Sequence, residues 1–164
     1  MDSPFKTPEQ LLAYKTVAQL LAARSSGVAS VAPDSSVFVA VQLMESRDTG
    51  LLVVLDQGKM VGVISERDCA RKLILTGRPA MGTPVRDVMT KTVFTVELTD
   101  TVPHCMALLT EKRIRHLPVM EGSGVIGVLS MRDLVKEIFS HHERLIRDME
   151  LERMAIMNAG SGSY

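Results

Sequence analysis

Two short stretches of this 164-residue chain carry the same polar residues after an aliphatic run. Residues 62–68 read GVISERD and residues 127–133 read GVLSMRD. In each, serine and aspartate are three residues apart at a predicted helix start, so their side chains share one face. The N-terminus of a helix attracts phosphate, and an ionised carboxylate can accept two neighbouring hydroxyl groups, as in a ribose. The arginine beside each aspartate adds a cation for phosphate. The candidate ligand-binding residues are Ser65, Arg67 and Asp68 in the first stretch, and Ser130, Arg132 and Asp133 in the second.

A simpler interpretation is that Asp68 and Asp133 only stabilise the first turns of their helices. For a single stretch the two interpretations have equal weight. The recurrence of all three polar residues after an apolar strand favours the ligand.

The similarity between the two stretches extends far beyond them, at a constant offset of 65 residues. Val28 corresponds to Val93, and Leu52 corresponds to Leu117, with no gap from Val28 to Ile74. An internal repeat of this length indicates two copies of one structural unit. Each copy is too small to bury much core alone, so we expect the two to pack as one body.

Each copy is predicted to contain a strand, a helix, two strands joined by a tight turn, and a second helix. The first helix of the first copy is expected to bury Val37, Ala40, Val41 and Met44. Ser65 and Ser130 are predicted to cap the closing helices. The predicted strands are 28–31, 51–55 and 60–64 in the first copy, and 93–96, 117–120 and 125–129 in the second.

The segments outside the copies complete the predicted organisation. We expect a helical lead-in over 1–26 that begins at Thr7-Pro8, a first repeat over 27–80, a second repeat over 81–140, and a C-terminal extension over 141–164. Residues 76–83 have the composition of a linker, and Asn158 to Tyr164 that of a frayed, disordered end. The overrun of the last helix is predicted either to pack on the core or to contact a second copy of the chain.

Composition excludes several classes of protein. A net charge of zero and a pI of about 6.9 argue against a nucleic-acid-binding protein. No apolar run has the length of a membrane span and no signal peptide is visible, so we predict a cytoplasmic protein that does not contact membrane. Cys69 and Cys105 fall in apolar helical patterns and are predicted to be reduced and buried.

No arrangement typical of catalysis is visible. His104 and Cys105 are adjacent on a helix, so they point apart rather than pairing. His141 and His142 have no partner at metal-ligand spacing and are predicted to be solvated. We therefore predict neither an enzyme nor a metal site.

The duplicated Gly-x-x-Ser-x-x-Asp pattern, the matching segment 85–89 and the run Arg115-His116-Leu117-Pro118-Val119 resemble a pair of CBS (cystathionine-β-synthase) domains, or Bateman module, over roughly residues 16–140. The resemblance implies an α+β fold of tandem β-α-β-β-α units, packed sheet to sheet about a pseudo-twofold axis. It also implies two clefts that bind AMP, ADP, ATP, NAD(H) or S-adenosylmethionine.

The resemblance further implies roles for individual residues. Asp68 and Asp133 would hold ribose, Ser65 and Ser130 would lie beside them, and Val28 and Val93 would border the bases. The remaining residues that the resemblance places at the clefts are Ile64, Thr92, Arg115, His116, Pro118 and Leu129.

The two copies differ at the basic pair Arg115-His116, because the first copy has Gly50-Leu51 at that position. In the family such basic residues lie near the phosphates, so the two clefts are predicted to differ in occupancy. An alternative for His116 is a hydrogen-bonded, buried histidine.

The function that follows is a non-catalytic regulatory module that senses an adenine nucleotide, AMP first and NAD(H) next, and passes a shape change to a partner. The expected partners are a second copy of the chain, as a homodimer, and an unidentified regulated protein. The alternative is a dimerisation scaffold that binds no small molecule.

Overall fold

We describe the protein from a computed structural model, which covers residues 13–23 and 27–160. The helix start predicted at Thr7-Pro8 lies outside these residues. The first described helix, α1 (Val17–Ala22), has Thr16 as its N-terminal cap. The Thr16 side chain accepts a hydrogen bond from the Gln19 N–H, and the Gln19 side chain accepts one from the Thr16 N–H, which closes a capping box.

The two repeats contain the same elements in the same order, as predicted. The first consists of β1 (Ser30–Val31), α2 (Val37–Ser46), β2 (Leu51–Asp56), β3 (Lys59–Ser65) and α3 (Glu66–Lys72). The second consists of β4 (Val96–Glu97), α4 (Val102–Lys112), β5 (His116–Glu121), β6 (Gly124–Ser130) and α5 (Met131–Gly160). Short 3₁₀ turns at Ile74–Thr76 and Val85–Asp87 lie between the repeats.

Each repeat forms one three-stranded sheet, and the two sheets have identical pairing. β1 is parallel to β2, which is antiparallel to β3, and β4, β5 and β6 repeat this order. A register shift follows Val54 in one sheet and Val119 in the other, 65 residues later. β3 and β6 contact each other, so the two sheets meet through these strands. The predicted α+β fold of tandem units is therefore confirmed.

The first strand of each repeat is shorter than predicted. Only Ser30–Val31 and Val96–Glu97 pair with a neighbouring strand, so Val28 and Val93 lie just before the strands. The helices that follow begin at Ser36 and Thr101, whose side chains accept hydrogen bonds from backbone N–H groups in the first turn. These caps fix the start of α2 and α4.

The lead-in segments are exchanged between the repeats. Val17 of α1 is fully buried in the core of the second repeat, whereas Val85 and Val88 are fully buried in the core of the first. The backbone repeats the exchange, because the Val17 N–H donates to the Asp100 carbonyl and the Val85 N–H donates to the Ser35 carbonyl, each at 2.8 Å. Each core is therefore completed by the lead-in segment that precedes the other repeat in the sequence.

One local expectation is wrong. Val41 of α2 is 44% exposed, although it belongs to the apolar pattern predicted to be buried.

The segment 76–83 lies between the repeats, and its end is packed against the first one. Thr83 is buried, and its carbonyl accepts from the Val37 N–H at 2.9 Å. The Ala80 carbonyl likewise accepts from the Phe38 N–H, so this segment closes over the start of α2.

Helix α5 runs for 30 residues and continues through Gly160, so it includes the first three residues of the segment predicted to fray. His141, predicted to be solvated, is buried against the Tyr14 ring, with 4.2 Å between ring centroids. His142 is exposed, as are Ile146 and Met149 further along the helix. Within the described residues, no helix combines the length and the apolarity that crossing a membrane needs.

Candidate functional site

Two cavities lie where the repeats meet, and they differ greatly in size. The wide cleft has a volume of about 850 Å³ and contains Ser130, Arg132 and Asp133 together with Val28 of the other repeat. The narrow cleft has a volume of about 150 Å³ and is formed by the corresponding part of the first repeat. Cavities that bind small molecules usually measure about 300–1,000 Å³. Of these two clefts, only the wide one has the volume for a nucleotide.

Each cavity is lined by predicted site residues from both repeats. Each cleft combines the serine and aspartate of one repeat with the residues before the first strand of the other repeat. Arg115 and His116 line both clefts. Ile64 and Leu129 are fully buried in the two apolar cores and line neither cleft. The predicted residues in the narrow cleft are Ser65, Arg67, Asp68, Thr92, Val93 and Pro118.

Both aspartates cap their helices, as the simpler interpretation requires. The Asp68 Oδ2 accepts from the Ser65 N–H at 3.0 Å and from the Ser65 hydroxyl at 2.6 Å. The Asp133 Oδ2 accepts from the Ser130 N–H at 2.7 Å and from the Ser130 hydroxyl at 2.6 Å. Capping uses one carboxylate oxygen of each residue, and both residues also line a cleft.

The second oxygen of Asp68 is also engaged. Its Oδ1 accepts from the Thr90 hydroxyl at 2.9 Å and lies 2.9 Å from the Lys72 ammonium. Burial raises the pKa of Asp68, but the hydrogen bonds from Ser65, Lys72 and Thr90 outweigh it and leave the pKa below its ordinary value. Asp68 therefore stays ionised and has donors on both oxygens.

Lys72 is a residue that the sequence analysis missed. It lies four residues after Asp68, a spacing that places opposite charges together on a helix. The corresponding residue of the second repeat is Glu137, which has the opposite charge. Comparing the two copies four residues beyond their shared motif would have revealed this difference.

His116 occupies the wall between the clefts. Its pKa is lowered by burial and by the neighbouring Arg115, and the Asp133 carboxylate only partly opposes these effects. A Cβ atom added at Gly50 would lie 3.6 Å from the His116 ring and 3.2 Å from the Glu66 carboxylate. The absence of a side chain at Gly50 therefore leaves space for the side chains of His116 and Glu66.

The wide cleft contains further charged residues that sequence reasoning did not select. Arg47, Asp48 and Glu66 line it. Asp48 has a positive φ of 47°, in the turn that follows α2. Glu66 corresponds to Met131 in the second copy, and this difference between the copies is the sequence feature that could have identified Glu66. The cavity is thus lined by charges of both signs.

The cysteines lie apart from both clefts. Cys69 and Cys105 are buried free thiols, as predicted. Burial raises the pKa of the Cys105 thiol to about 11, so it is protonated and unreactive at neutral pH. Among residues 13–23 and 27–160, no three histidine, cysteine, aspartate or glutamate side chains are grouped so as to hold a metal ion.

The fold and the paired clefts define the class of protein. The family model for the CBS domain matches residues 19–75 and 85–140, so the chain belongs to the CBS-domain family and carries a pair of these domains. The mitochondrial CBS domain-containing protein CBSX3 of Arabidopsis thaliana is 37% identical over 126 residues, which cover 74% of this chain and 59% of that protein. The chain thus corresponds to little more than half of this relative's length.

Solved structures agree with this assignment. A protein with CBS domains from Burkholderia ambifaria, provisionally named for signal transduction, is 40% identical with a TM-score of 0.75, over 77% of this chain and 95% of that one. A CBS domain pair solved with 5′-methylthioadenosine and S-adenosyl-L-methionine has a TM-score of 0.67 at 21% identity, over 78% of this chain and 98% of that one. At this identity the second structure supports the fold alone.

Proposed function

We propose that this CBS domain pair is a non-catalytic regulatory module that binds one adenine nucleotide in the wide cleft. The observation that carries the proposal is a cavity of about 850 Å³ with Asp133 in its wall, in the first turn of α5. A nucleotide needs an acceptor for its ribose hydroxyls and cations for its phosphate. The wide cleft offers both.

The charges of the wide cleft suit a ligand with separate polar parts. Asp133 is the proposed ribose acceptor, and Ser130 positions it through the capping hydrogen bonds. Arg132, Arg115 and Arg47 are the candidate phosphate ligands among the lining residues. The carboxylates of Asp133 and Glu66 would repel a phosphate on the ribose, so NADP is disfavoured relative to AMP, ATP or NAD(H).

A structural neighbour with the same fold was solved with two adenosine-containing ligands, which is the reason for testing adenosine compounds here. We take AMP as the first probe because it contains the adenine, ribose and phosphate of every candidate. ATP and NADH are the second and third probes.

The experiment is a thermal unfolding series with and without AMP. Ligand at 100 times its Kd adds about 2.7 kcal/mol to the free energy of unfolding. For a chain of this size that corresponds to a rise in Tm of about 5–10 °C. The Asp133→Ala variant should lose the rise, because the ribose loses its acceptor.

Asp68→Ala is the matched control, because it removes the corresponding cap from α3. Each variant should lose about 1 kcal/mol of stability from its cap, but only Asp133→Ala should lose the response to AMP. A full response in Asp133→Ala would refute the proposed site. An unresponsive wild-type protein with all three probes would favour the alternative, a dimerisation scaffold.

The proposed partners are a second copy of the chain and a separate regulated protein. Helix α2 exposes Phe38, Val39 and Val41 on one face, each between 37% and 44%. Contiguous apolar residues on a surface are typical of a protein–protein contact. We propose this face, defined here as the α2 face, as the homodimer contact.

A further inference from the structure

The acceptor capacity of Asp68 is used up inside the protein. A carboxylate offers about four acceptor positions. Asp68 receives four donors: the Ser65 N–H and hydroxyl on Oδ2, and the Thr90 hydroxyl and the Lys72 ammonium on Oδ1. A ribose that entered the narrow cleft would have to displace one of these donors.

The same ammonium also holds the opposite wall of the narrow cleft. Lys72 Nζ donates to the Val88 carbonyl at 2.7 Å and to the Met89 carbonyl at 3.4 Å. The chain continues from there into residues 90–94, of which Thr90, Thr92, Val93 and Phe94 line the cleft. Lys72 therefore connects helix α3 to the segment that faces it across the cavity.

The second repeat has no ammonium at this position. Glu137 occupies this position and does not line the wide cleft. Its carboxylate binds Lys15 at 2.9 Å and Arg144 at 2.6 Å. The counterpart of Thr90, aligned through the similar segments 17–21 and 85–89, is Ala22, which has no hydroxyl. Both of the donors that occupy Asp68 Oδ1 are thus specific to the first repeat.

We propose that Lys72 determines which cleft binds the nucleotide: it occupies the Asp68 carboxylate and ties down the facing wall, so that the narrow cleft excludes a ribose and the chain binds one ligand. This inference rests on the proposed function of the wide cleft. It assigns the difference between the clefts to one side chain that lies outside the shared serine–aspartate motif.

The test is the stoichiometry of AMP binding, measured by isothermal titration calorimetry on the full chain. Wild type should bind one AMP. Lys72→Met, which keeps the length of the side chain and removes its charge, should bind two. Arg71→Met is the matched control, because Arg71 is the exposed neighbour on the same helix and should leave the stoichiometry at one. Lys72→Gln replaces Lys72→Met if circular dichroism shows that the methionine variant does not fold.

A second AMP in Lys72→Met, still bound when Asp133→Ala is added, supports the inference. Two AMP molecules in wild type, or one in both wild type and Lys72→Met, overturns it and leaves the wide cleft as the site. One AMP in Lys72→Met and none in wild type supports the role of Lys72 but refutes the function proposed for the wide cleft. No binding in either protein refutes both.

Discussion

Two equivalent glycines provide a direct test of how the lead-in segments pack on the opposite sheets. Gly62 in β3 and Gly127 in β6 are 65 residues apart in the sequence repeat. A Cβ atom at Gly62 would lie 2.8 Å from the Thr90 carbonyl oxygen, which is backbone. A Cβ atom at Gly127 would lie 2.8 Å from a terminal methyl group of Leu21, which can rotate away.

The expected loss of unfolding free energy for Gly62→Ala and Gly127→Ala depends on which neighbouring atoms the new Cβ displaces. Overpacking costs about 1–3 kcal/mol, and the rotation of a side chain lies at the low end of this range. At Gly62 the Thr90 backbone must shift, and it exchanges two hydrogen bonds with Val63 at 2.8 and 2.9 Å. Each is worth about 1 kcal/mol. We expect a loss of about 3 kcal/mol for Gly62→Ala and about 1 kcal/mol for Gly127→Ala.

The assay is urea unfolding followed by circular dichroism, with thermal unfolding as a second measurement. A difference of about 2 kcal/mol between the variants corresponds to about 4–8 °C in Tm. The intrinsic gain of replacing glycine by alanine in a strand is the same at both sites and cancels. Equal losses of unfolding free energy in the two variants would refute the argument that a new Cβ displaces a side chain at lower cost than a backbone carbonyl.

Two further predictions concern a buried charge and the α2 face. Burial raises the pKa of Glu137, but the hydrogen bonds from Arg144 and Lys15 outweigh it, so the folded pKa lies below the ordinary value. Its stabilisation is therefore complete above the unfolded pKa of about 4.3 and is lost as the pH falls through the folded pKa. Glu137→Gln should lower the free energy of unfolding by about 1–2 kcal/mol at pH 7, and the loss stays modest because both cations are half exposed. The difference in free energy from wild type, measured by urea unfolding, should disappear below pH 4. A difference that does not change with pH would contradict this. Val41→Glu should convert the proposed homodimer to monomer in analytical ultracentrifugation, whereas the exposed hairpin variant Gln57→Glu should not; an unchanged dimer in Val41→Glu would exclude the α2 face.

Much of the fold could be predicted because the elements of each repeat are specified by residues that are close together in the sequence. Aliphatic runs of four to six residues, the turn at residues 56–59 and the cap at Ser65 each depend on near neighbours in the sequence. The constant offset then required both halves to have the same topology. His141 is an exception, because its burial depends on Tyr14, which lies more than a hundred residues earlier.

The sequence by itself determined that two copies of one β-α-β-β-α unit are present and that each places a serine and an aspartate at a helix start. Only the tertiary structure decided that the lead-ins exchange cores and that the two clefts differ in volume. It also decided that Lys72 reaches the Val88 carbonyl. The physical reason is that capping and strand pairing within a hairpin involve neighbours in the chain, whereas the width of a cleft depends on contacts between segments that are distant in the sequence.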